Sequence, residues 1–87
     1  MRSSEFFHID PSDPASLVRL MDEYGPGMSC FCGRNDKGER ITCLVTVSAV
    51  EVSTAQENGW WRHNTYHRDG STEETFEGRW RKVHTGA

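Results

Sequence analysis

The sequence lacks a membrane-spanning segment and a strongly basic composition. No stretch approaches the roughly 18 apolar residues that a transmembrane helix needs, and the start, Met1-Arg2-Ser3-Ser4-Glu5, has no apolar region of a secretory signal. Lys and Arg number 10 against 13 Asp and Glu, which gives a formal net charge of −3. General polyanion binders usually have a clearly basic balance. We therefore expect a cytoplasmic protein with no membrane partner, and nucleic acid is a disfavoured partner.

The common catalytic signatures are also missing. There is no glycine-rich phosphate loop, no HExxH and no GxSxG. The cysteines number 3, an odd number that fits free thiols or a metal site better than a secreted disulfide framework. A chain of 87 residues suffices for one hydrophobic core and not two, so residues 1–87 are predicted to form a single domain.

The first part of the chain predicts a strand and then a helix. Residues 5–9 are aromatic and β-branched, and the prolines that follow predict a turn. Asp13 is a typical N-cap residue and Pro14 suits the first helical position, while Gly25-Pro26-Gly27 ends the helix. Helical spacing predicts one buried stripe, which consists of Leu17, Leu20, Met21 and Tyr24.

From Met28 onward the apolar pattern has period two and three hairpin signals interrupt it. These signals are Asn35-Asp36-Lys37-Gly38, Asn58-Gly59 and Asp69-Gly70. The predicted fold class is α+β: a four-stranded antiparallel meander plus an N-terminal strand, with one amphipathic helix packed on one face, in the order β-α-β-β-β-β.

The first hairpin signal predicts the face of each cysteine. A type I turn with a left-handed glycine pairs Asn35 with Glu39, and therefore Phe31 with Cys43. Cys43 then faces the helix, while Cys30 and Cys32 face the other side of the sheet.

The other two signals predict the faces of the later strands. A two-residue type I′ turn at Asn58-Gly59 pairs Glu57 with Trp60, and a loop of even length at Asp69-Gly70 pairs Trp61 with Gly78. These registers put Trp61, Phe76 and Trp80 on the helix side. The residues on the helix side then switch from odd to even positions between Ala49 and Val50, which predicts a β-bulge in one long strand. A three-residue loop at either turn would reverse every face beyond it.

One side of the predicted sheet has no helix to cover it, and we interpret that side as a binding face. Exposed aromatic residues and arginines often mark interaction sites. The predicted partner-binding residues are Leu44, Trp60, Arg62, Tyr66, Arg79 and Arg81. The alternative is an ordinary solvated face in which Trp60 stacks on Arg79 and Arg62 pairs with Glu77.

The predicted function is that of a small non-catalytic binding protein without a cofactor. We expect an adaptor, inhibitor or regulator, of the kind that phages and mobile elements encode, that docks on a larger protein partner. Pairing through an exposed strand edge, including formation of a homodimer, is another route to the same class of function.

Two other kinds of binding remain open from the sequence. The segment from Trp60 to Arg68 interleaves aromatic and cationic residues, as single-stranded nucleic-acid or RNA binders do, although Glu73, Glu74 and Glu77 offset its charge. A zinc site could use Cys30, Cys32 and Cys43 with one histidine, but a spacing of one residue between the first two is unusual. The candidates for its fourth ligand are His8, His63, His67 and His84.

Enzymatic hypotheses have weaker grounds. Acid-base cleavage of a phosphodiester could draw on Glu73, Glu74, His63, His67 and Arg68, but any charged hairpin offers such residues. A Cys43 nucleophile with a His63 base is excluded in this register, because His63 would pair about 36 Å along the strand from Cys43.

Overall fold

The computed structural model describes residues 12–78 and 82–85. Within them, helix α1 spans Pro14–Tyr24, and the strands that follow are β1 (Ser29–Arg34), β2 (Arg40–Val45), β3 (Ala49–Ala55), β4 (Trp61–His67), β5 (Thr72–Glu77) and β6 (Lys82–Thr85). Neighbouring strands pair antiparallel in the order β1-β2-β3-β4-β5-β6. The predicted α+β class, one helix against an antiparallel meander, is confirmed. The predicted N-terminal strand, residues 5–9, lies outside the described residues.

Helix α1 begins and ends where the sequence predicts. It starts at Pro14, and Asp13 accepts hydrogen bonds from Ser16 at both its carbonyl (3.1 Å) and its carboxylate (2.6 Å). At the other end, a Cβ on Gly25 would lie 2.6 Å from the carbonyl oxygen of Thr46. Only glycine therefore lets the turn after β2 pack so closely on the helix end. Among the described residues, no helix is long and apolar enough to cross a membrane.

The hydrophobic core lies between α1 and the two strands β2 and β3. Met21, Cys43, Val45 and Val50 have no solvent exposure, and the other predicted stripe residues of α1 pack around them. Tyr24 meets Phe31 of β1 edge to face, with ring centroids 5.6 Å apart. Burial of each aliphatic side chain of this core stabilises the fold by about 1.5–3 kcal/mol. The side of the sheet that packs on α1 therefore supplies most of the hydrophobic stabilisation.

The first hairpin agrees with its predicted register. Asn35 donates its backbone N–H to Glu39 over 3.0 Å, and Phe31 pairs with Cys43. The side chain of Asn35 accepts hydrogen bonds from the backbone N–H groups of Lys37 and Glu39, each at 3.0 Å. These bonds hold the turn in the predicted form.

The predicted long second strand is in fact two strands, and a further strand, β6, follows β5, so six strands follow the helix rather than four. The chain turns back at Val47-Ser48, where Thr46 donates its N–H to Ala49 over 2.9 Å and Val45 pairs with Val50. The predicted β-bulge between Ala49 and Val50 is therefore wrong, because this turn explains why the residues on the helix side switch from odd to even positions. Arg68 holds the turn from outside, through its backbone N–H to Ser48 (2.9 Å) and its Nε to Val47 (2.8 Å).

The hairpin between β3 and β4 has a three-residue loop, Glu57-Asn58-Gly59. Gln56 donates to Trp60 over 2.9 Å, and Gly59 adopts a φ of 85°. The amide oxygen of Asn58 accepts the N–H of Trp60 over 2.9 Å, which favours this loop over the predicted two-residue turn. The predicted pairing of Glu57 with Trp60 is wrong, and every side chain of β4 faces the side opposite to the predicted one.

The hairpin between β4 and β5 has the same kind of loop, Arg68-Asp69-Gly70. His67 donates to Ser71 over 2.9 Å and Gly70 has a φ of 93°. Trp61 consequently pairs with Glu77, and the predicted pairing with Gly78 is wrong. The indole that covers Gly78 belongs to Trp60, since a Cβ on that glycine would lie 2.5 Å from its ring.

The two register errors cancel in β5. Phe76 lies on the helix side, as predicted, because two reversals restore the original face. Trp61 lies on the opposite side from the predicted one, and Trp80 is outside the described residues. The residues that form the uncovered side of the sheet therefore differ from the predicted ones mainly in β4.

Candidate functional site on the open face of the sheet

We call the side of the sheet opposite α1 the open face. Successive side chains of a strand alternate between the two faces, and paired residues of neighbouring strands share a face, so the observed registers identify the residues of the open face. From β1 to β5 it carries Cys30, Cys32, Arg34, Arg40, Thr42, Leu44, Glu51, Ser53, Ala55, Trp61, His63, Thr65, His67, Glu73, Thr75 and Glu77. In the part of the chain that the structure describes, no helix covers this surface.

His63 is the centre of a hydrogen-bond network on the open face. Its Nδ1 lies 2.6 Å from the hydroxyl of Ser53 on β3, and its Nε2 lies 3.3 Å from a carboxylate oxygen of Glu77 on β5. The imidazole is 17% exposed, while Ser53 and its neighbour Thr75 are 9% and 8% exposed. A neutral His63 with its proton on Nε2 satisfies both contacts, because Ser53 then donates to Nδ1 and Nε2 donates to Glu77.

The arrangement of Ser53, His63 and Glu77 has the residue types of a nucleophilic triad, but its surroundings do not suit acyl transfer. Such chemistry needs an accessible hydroxyl and donors aimed at a developing oxyanion. The hydroxyl of Ser53 is nearly buried, and the backbone N–H groups around it lie in the ladders of a paired sheet. The network therefore orders the surface by joining the side chains of three adjacent strands.

The residues proposed for phosphodiester cleavage do not form one site. His67 pairs with Glu73 at 2.9 Å on the open face, about 13 Å along the strand from His63. Glu74 faces the helix side and accepts a hydrogen bond from Asn64 (2.9 Å). Arg68 is bonded to Asp22 of α1 over 2.7 Å. The prediction of a joint Glu, His and Arg site is therefore wrong.

Trp61 and Arg40 form an aromatic and cationic pair on the open face. The guanidinium carbon of Arg40 lies 6.0 Å from the centroid of the indole. Ala55 is the residue of β3 that pairs with Trp61, and its small side chain lets Arg40 reach across from β2. A contact of this kind contributes about 0.5–1 kcal/mol at an exposed site.

The six predicted partner-binding residues do not share one face. Leu44 lies on the open face, whereas Arg62 and Tyr66 lie on the helix side, and burial raises the pKa of Tyr66. Trp60 precedes β4 and packs over Gly78. Arg79 and Arg81 are outside the described residues. The reversed register of β4 causes the discrepancy, and reading Asn58-Gly59 as part of a three-residue loop would have identified Trp61 and His63 instead.

The cysteines lie where the first hairpin predicted. Cys30 and Cys32 are exposed on the open face, and Cys43 is buried on the helix side. Burial, together with a smaller effect of Cys30, raises the pKa of Cys43 to about 12. The pKa of Cys30 is also raised, by slight desolvation and by the neighbouring Cys32 thiol.

This placement contradicts the zinc hypothesis. Cys43 is separated from Cys30 and Cys32 by the sheet itself. Within residues 12–78, no group of three or more His, Cys, Asp or Glu side chains is arranged to hold a metal ion. His8 and His84, two of the proposed fourth ligands, lie outside that range.

The segment from Trp60 to Arg68 does not present its aromatic and cationic residues together. Trp61, His63 and His67 face the open side, while Arg62 and Tyr66 face the helix side. The acidic side chains of Glu51, Glu73 and Glu77 lie on the open face beside these residues. A phosphate backbone following β4 and β5 would therefore meet negative charge.

Comparison with protein-family models, with curated proteins and with solved structures found no match for this chain. Its function is therefore inferred from the open face itself.

Proposed function

We propose that this domain is a small binding protein that docks on a larger protein through the open face. The observation that carries the proposal is the pair formed by Trp61 and Arg40 on a sheet face that no described helix covers. Tryptophan and arginine are the residues that most often dominate binding energy at protein interfaces. Leu44 adds an apolar side chain two rows away on the same surface.

The proposed mechanism is steric and needs no chemistry. Trp61 and Leu44 enter pockets of the partner, and the network around His63 keeps the intervening surface rigid, which lowers the entropy cost of binding. We expect about 800 Å² to be buried on each side.

The charges of the open face predict the charge pattern of the partner's surface. Arg34 and Arg40 lie together on β1 and β2, whereas Glu51 and Glu73 lie on β3 and β5. A complementary partner therefore has an acidic patch facing β1 and β2 and a basic patch facing β3 to β5. We also propose a reducing compartment, the cytoplasm, because the three cysteines are free thiols.

The experiment that tests the docking face uses the native thiols as attachment points. A photoreactive maleimide on Cys30 and Cys32 samples the open face, while the buried Cys43 stays unlabelled. We expect one defined crosslinked adduct in extract of the source cells, reduced at least about tenfold by Trp61→Ala, since hot-spot residues cost about 2 kcal/mol or more. Val47→Ala is the matched control, because Val47 is 56% exposed and lies outside the open face.

A second control moves the attachment point to the helix. In a variant with Cys30→Ser and Cys32→Ser, the substitution Arg19→Cys places the label on the exposed side of α1. The proposal predicts that this variant does not form the adduct. Equal crosslinking from both positions, or an adduct that Trp61→Ala leaves unchanged, would contradict the open face as the docking site.

The same preparation tests the nucleic-acid alternative. Binding of a labelled single-stranded oligonucleotide should weaken steeply between about 50 and 200 mM salt if the domain neutralises phosphates. We expect no such salt-dependent binding, because acidic residues share the open face with Trp61.

A further inference from the structure

The outer edge of β1 has backbone hydrogen-bonding groups that no other described strand pairs with. Among residues 12–78 and 82–85, β1 pairs with β2 only. Asn35 and Glu39 form a hydrogen-bonded pair, and bonded pairs alternate along an antiparallel ladder, so Gly33 and Phe31 also direct their backbone groups toward β2. Cys30, Cys32 and Arg34 therefore direct their N–H and C=O groups outward.

Apart from Arg34 at its end, this edge lacks the features that usually prevent strand addition. Proteins protect sheet edges with charged side chains, prolines and bulges. Residues 29–33 contain no charge and no proline, and the register from Ser29 to Arg34 is continuous, without a bulge. The edge is therefore able to accept another antiparallel strand.

We propose that the strand added to this edge is β1 of a second copy of the chain. A two-fold axis puts each residue near its own equivalent, and like charges that face each other directly would oppose pairing. Because residues 29–33 are uncharged, self-pairing of their centre creates no such repulsion. The resulting dimer has one continuous sheet, and its two open faces lie on the same side of that sheet.

The cysteines give this dimer a chemical signature. Both thiols lie on the open face, and both residues direct their backbone outward. An axis through Phe31 puts Cys30 opposite Cys32 of the second copy, and an axis through Cys32 puts the two Cys32 residues opposite each other. Hydrogen-bonded partners have Cα atoms about 5.5 Å apart, which lies within the range that a disulfide spans.

An oxidant can therefore trap the dimer covalently. The thiolate of Cys32 attacks one sulfur of oxidised glutathione, and one glutathione leaves as a mixed disulfide forms. The thiolate of the facing cysteine then attacks the cysteine sulfur of this mixed disulfide and releases the second glutathione. Two thiols lose two protons and two electrons, and one glutathione disulfide becomes two molecules of glutathione.

The first test measures self-association in reducing buffer. The mass in solution should rise from 9.9 kDa toward twice that value with concentration. Amide hydrogen exchange at Cys30, Cys32 and Arg34 should slow over the same concentration range. A mass of 9.9 kDa up to about 1 mM, the weakest affinity that would matter here, overturns the proposal. Slow exchange that does not depend on concentration also overturns it, because the edge is then covered within one chain.

The second test blocks the edge without changing the ladder to β2. Cys32→Pro removes an outward N–H, and Cys32→Ser is the matched control that keeps it. We expect the proline variant to raise the dimer dissociation constant at least about tenfold relative to the serine variant. If the proline variant fails to fold, Cys30→Lys against Cys30→Ser asks the same question. With the axis through Phe31 the two lysines lie diagonally across the strand pair, and with the axis through Cys32 each lysine faces Arg34 of the second copy, so both registers gain like-charge repulsion.

The third test uses oxidised glutathione on the unmodified protein. The proposal predicts an interchain disulfide between residues 30 and 32, or between the two Cys32 residues, found by peptide mapping. Products limited to an intrachain bond or to mixed disulfides with glutathione overturn it, as does equal dimerisation of the proline and serine variants. Loss of the dimer in these tests would leave the partner-crosslinking result unaffected, so the two proposals fail independently.

Discussion

The two faces of the sheet use alternate residues of the same strands and are stabilised in different ways. The helix side is apolar and dry, with Cys43, Val45 and Val50 completely buried under α1. The open face has no second layer in the described residues. Its side chains are held in place by the hydrogen bonds of Ser53, His63 and Glu77 and by the contact of Trp61 with Arg40. One helix can bury only one side of a sheet, so stability and surface chemistry are divided between the two faces.

The largest expected difference between the faces is in thiol reactivity. Cys30 and Cys32 should react readily with a thiol reagent, whereas Cys43 should react only when the chain unfolds, at least about a thousandfold more slowly for an ordinary domain stability. Reaction time courses with mass spectrometry of the labelled peptides measure the contrast. Comparable labelling of all three thiols in the native protein would show that the helix side is not closed.

Alkaline pH should weaken the helix side through Cys43. Its pKa is raised to about 12, so between the ordinary thiol value and pH 12 the unfolded chain loses this proton while the folded chain keeps it. Stability therefore falls as pH rises through that window, by up to about 4 kcal/mol. Urea unfolding at a series of pH values measures the slope.

The control for the alkaline effect is Cys43→Ala. This variant keeps the contribution of Tyr66, whose pKa is also raised by burial, and loses that of the thiol. Its stability should fall less steeply with pH than that of the unmodified protein. An identical slope would mean that Cys43 does not control the alkaline transition.

One truncation on each face compares how much the two faces contribute to the free energy of unfolding. Met21→Ala leaves a cavity under α1 and should lower the free energy of unfolding by about 3 kcal/mol. Leu44→Ala, on the open face, should cost about 1 kcal/mol or less, because this side chain is only half-buried. Urea denaturation of both variants decides the ranking, and a larger loss for Leu44→Ala would contradict the division between the faces.

The last comparison concerns the network on the open face. Ser53→Ala removes one hydrogen bond to His63 and should cost about 1 kcal/mol. A double-mutant cycle with His63→Ala should show a coupling energy of similar size. The control cycle pairs Ser53→Ala with His67→Ala, whose imidazole bonds to Glu73, and should be additive within about 0.5 kcal/mol. Coupling of equal size in both cycles would argue against a specific network.

The three hairpins show how far sequence reasoning reached and where it stopped. The first was predicted correctly because Asn35 and Gly38 occupy the positions that a type I turn with a left-handed glycine requires. The other two loops, at Asn58-Gly59 and Asp69-Gly70, have the same form. Asn-Gly and Asp-Gly also suit a two-residue turn, and the choice between the two depends on local hydrogen bonds such as that of Asn58 to Trp60. A difference of one residue there reversed the predicted binding face.

The turn at Val47-Ser48 had only a weak signal in the sequence. Serine is common in turns but valine is not, and the hydrogen bonds that hold this turn from outside come from Arg68, in a hairpin 20 residues further along the chain. Missing this turn changed the predicted number of strands but not the predicted faces of Val50, Val52 and Thr54, which lie on the helix side. The predicted binding residues included Arg62 and Tyr66, which face the helix, and omitted Trp61 because of the loop at Asn58-Gly59.

The sequence by itself determined the α+β class, the bounds and buried stripe of α1, the first hairpin and the faces of the three cysteines. Each of these depends on local chemistry: helical spacing, a proline and a glycine at the helix ends, and a turn whose glycine accepts a left-handed backbone. Only the tertiary structure decided the number of strands, the face of β4 and the identity of the open surface. The physical reason is that strand register is a long-range property, in which a single residue more or less in one loop moves every later side chain to the other face.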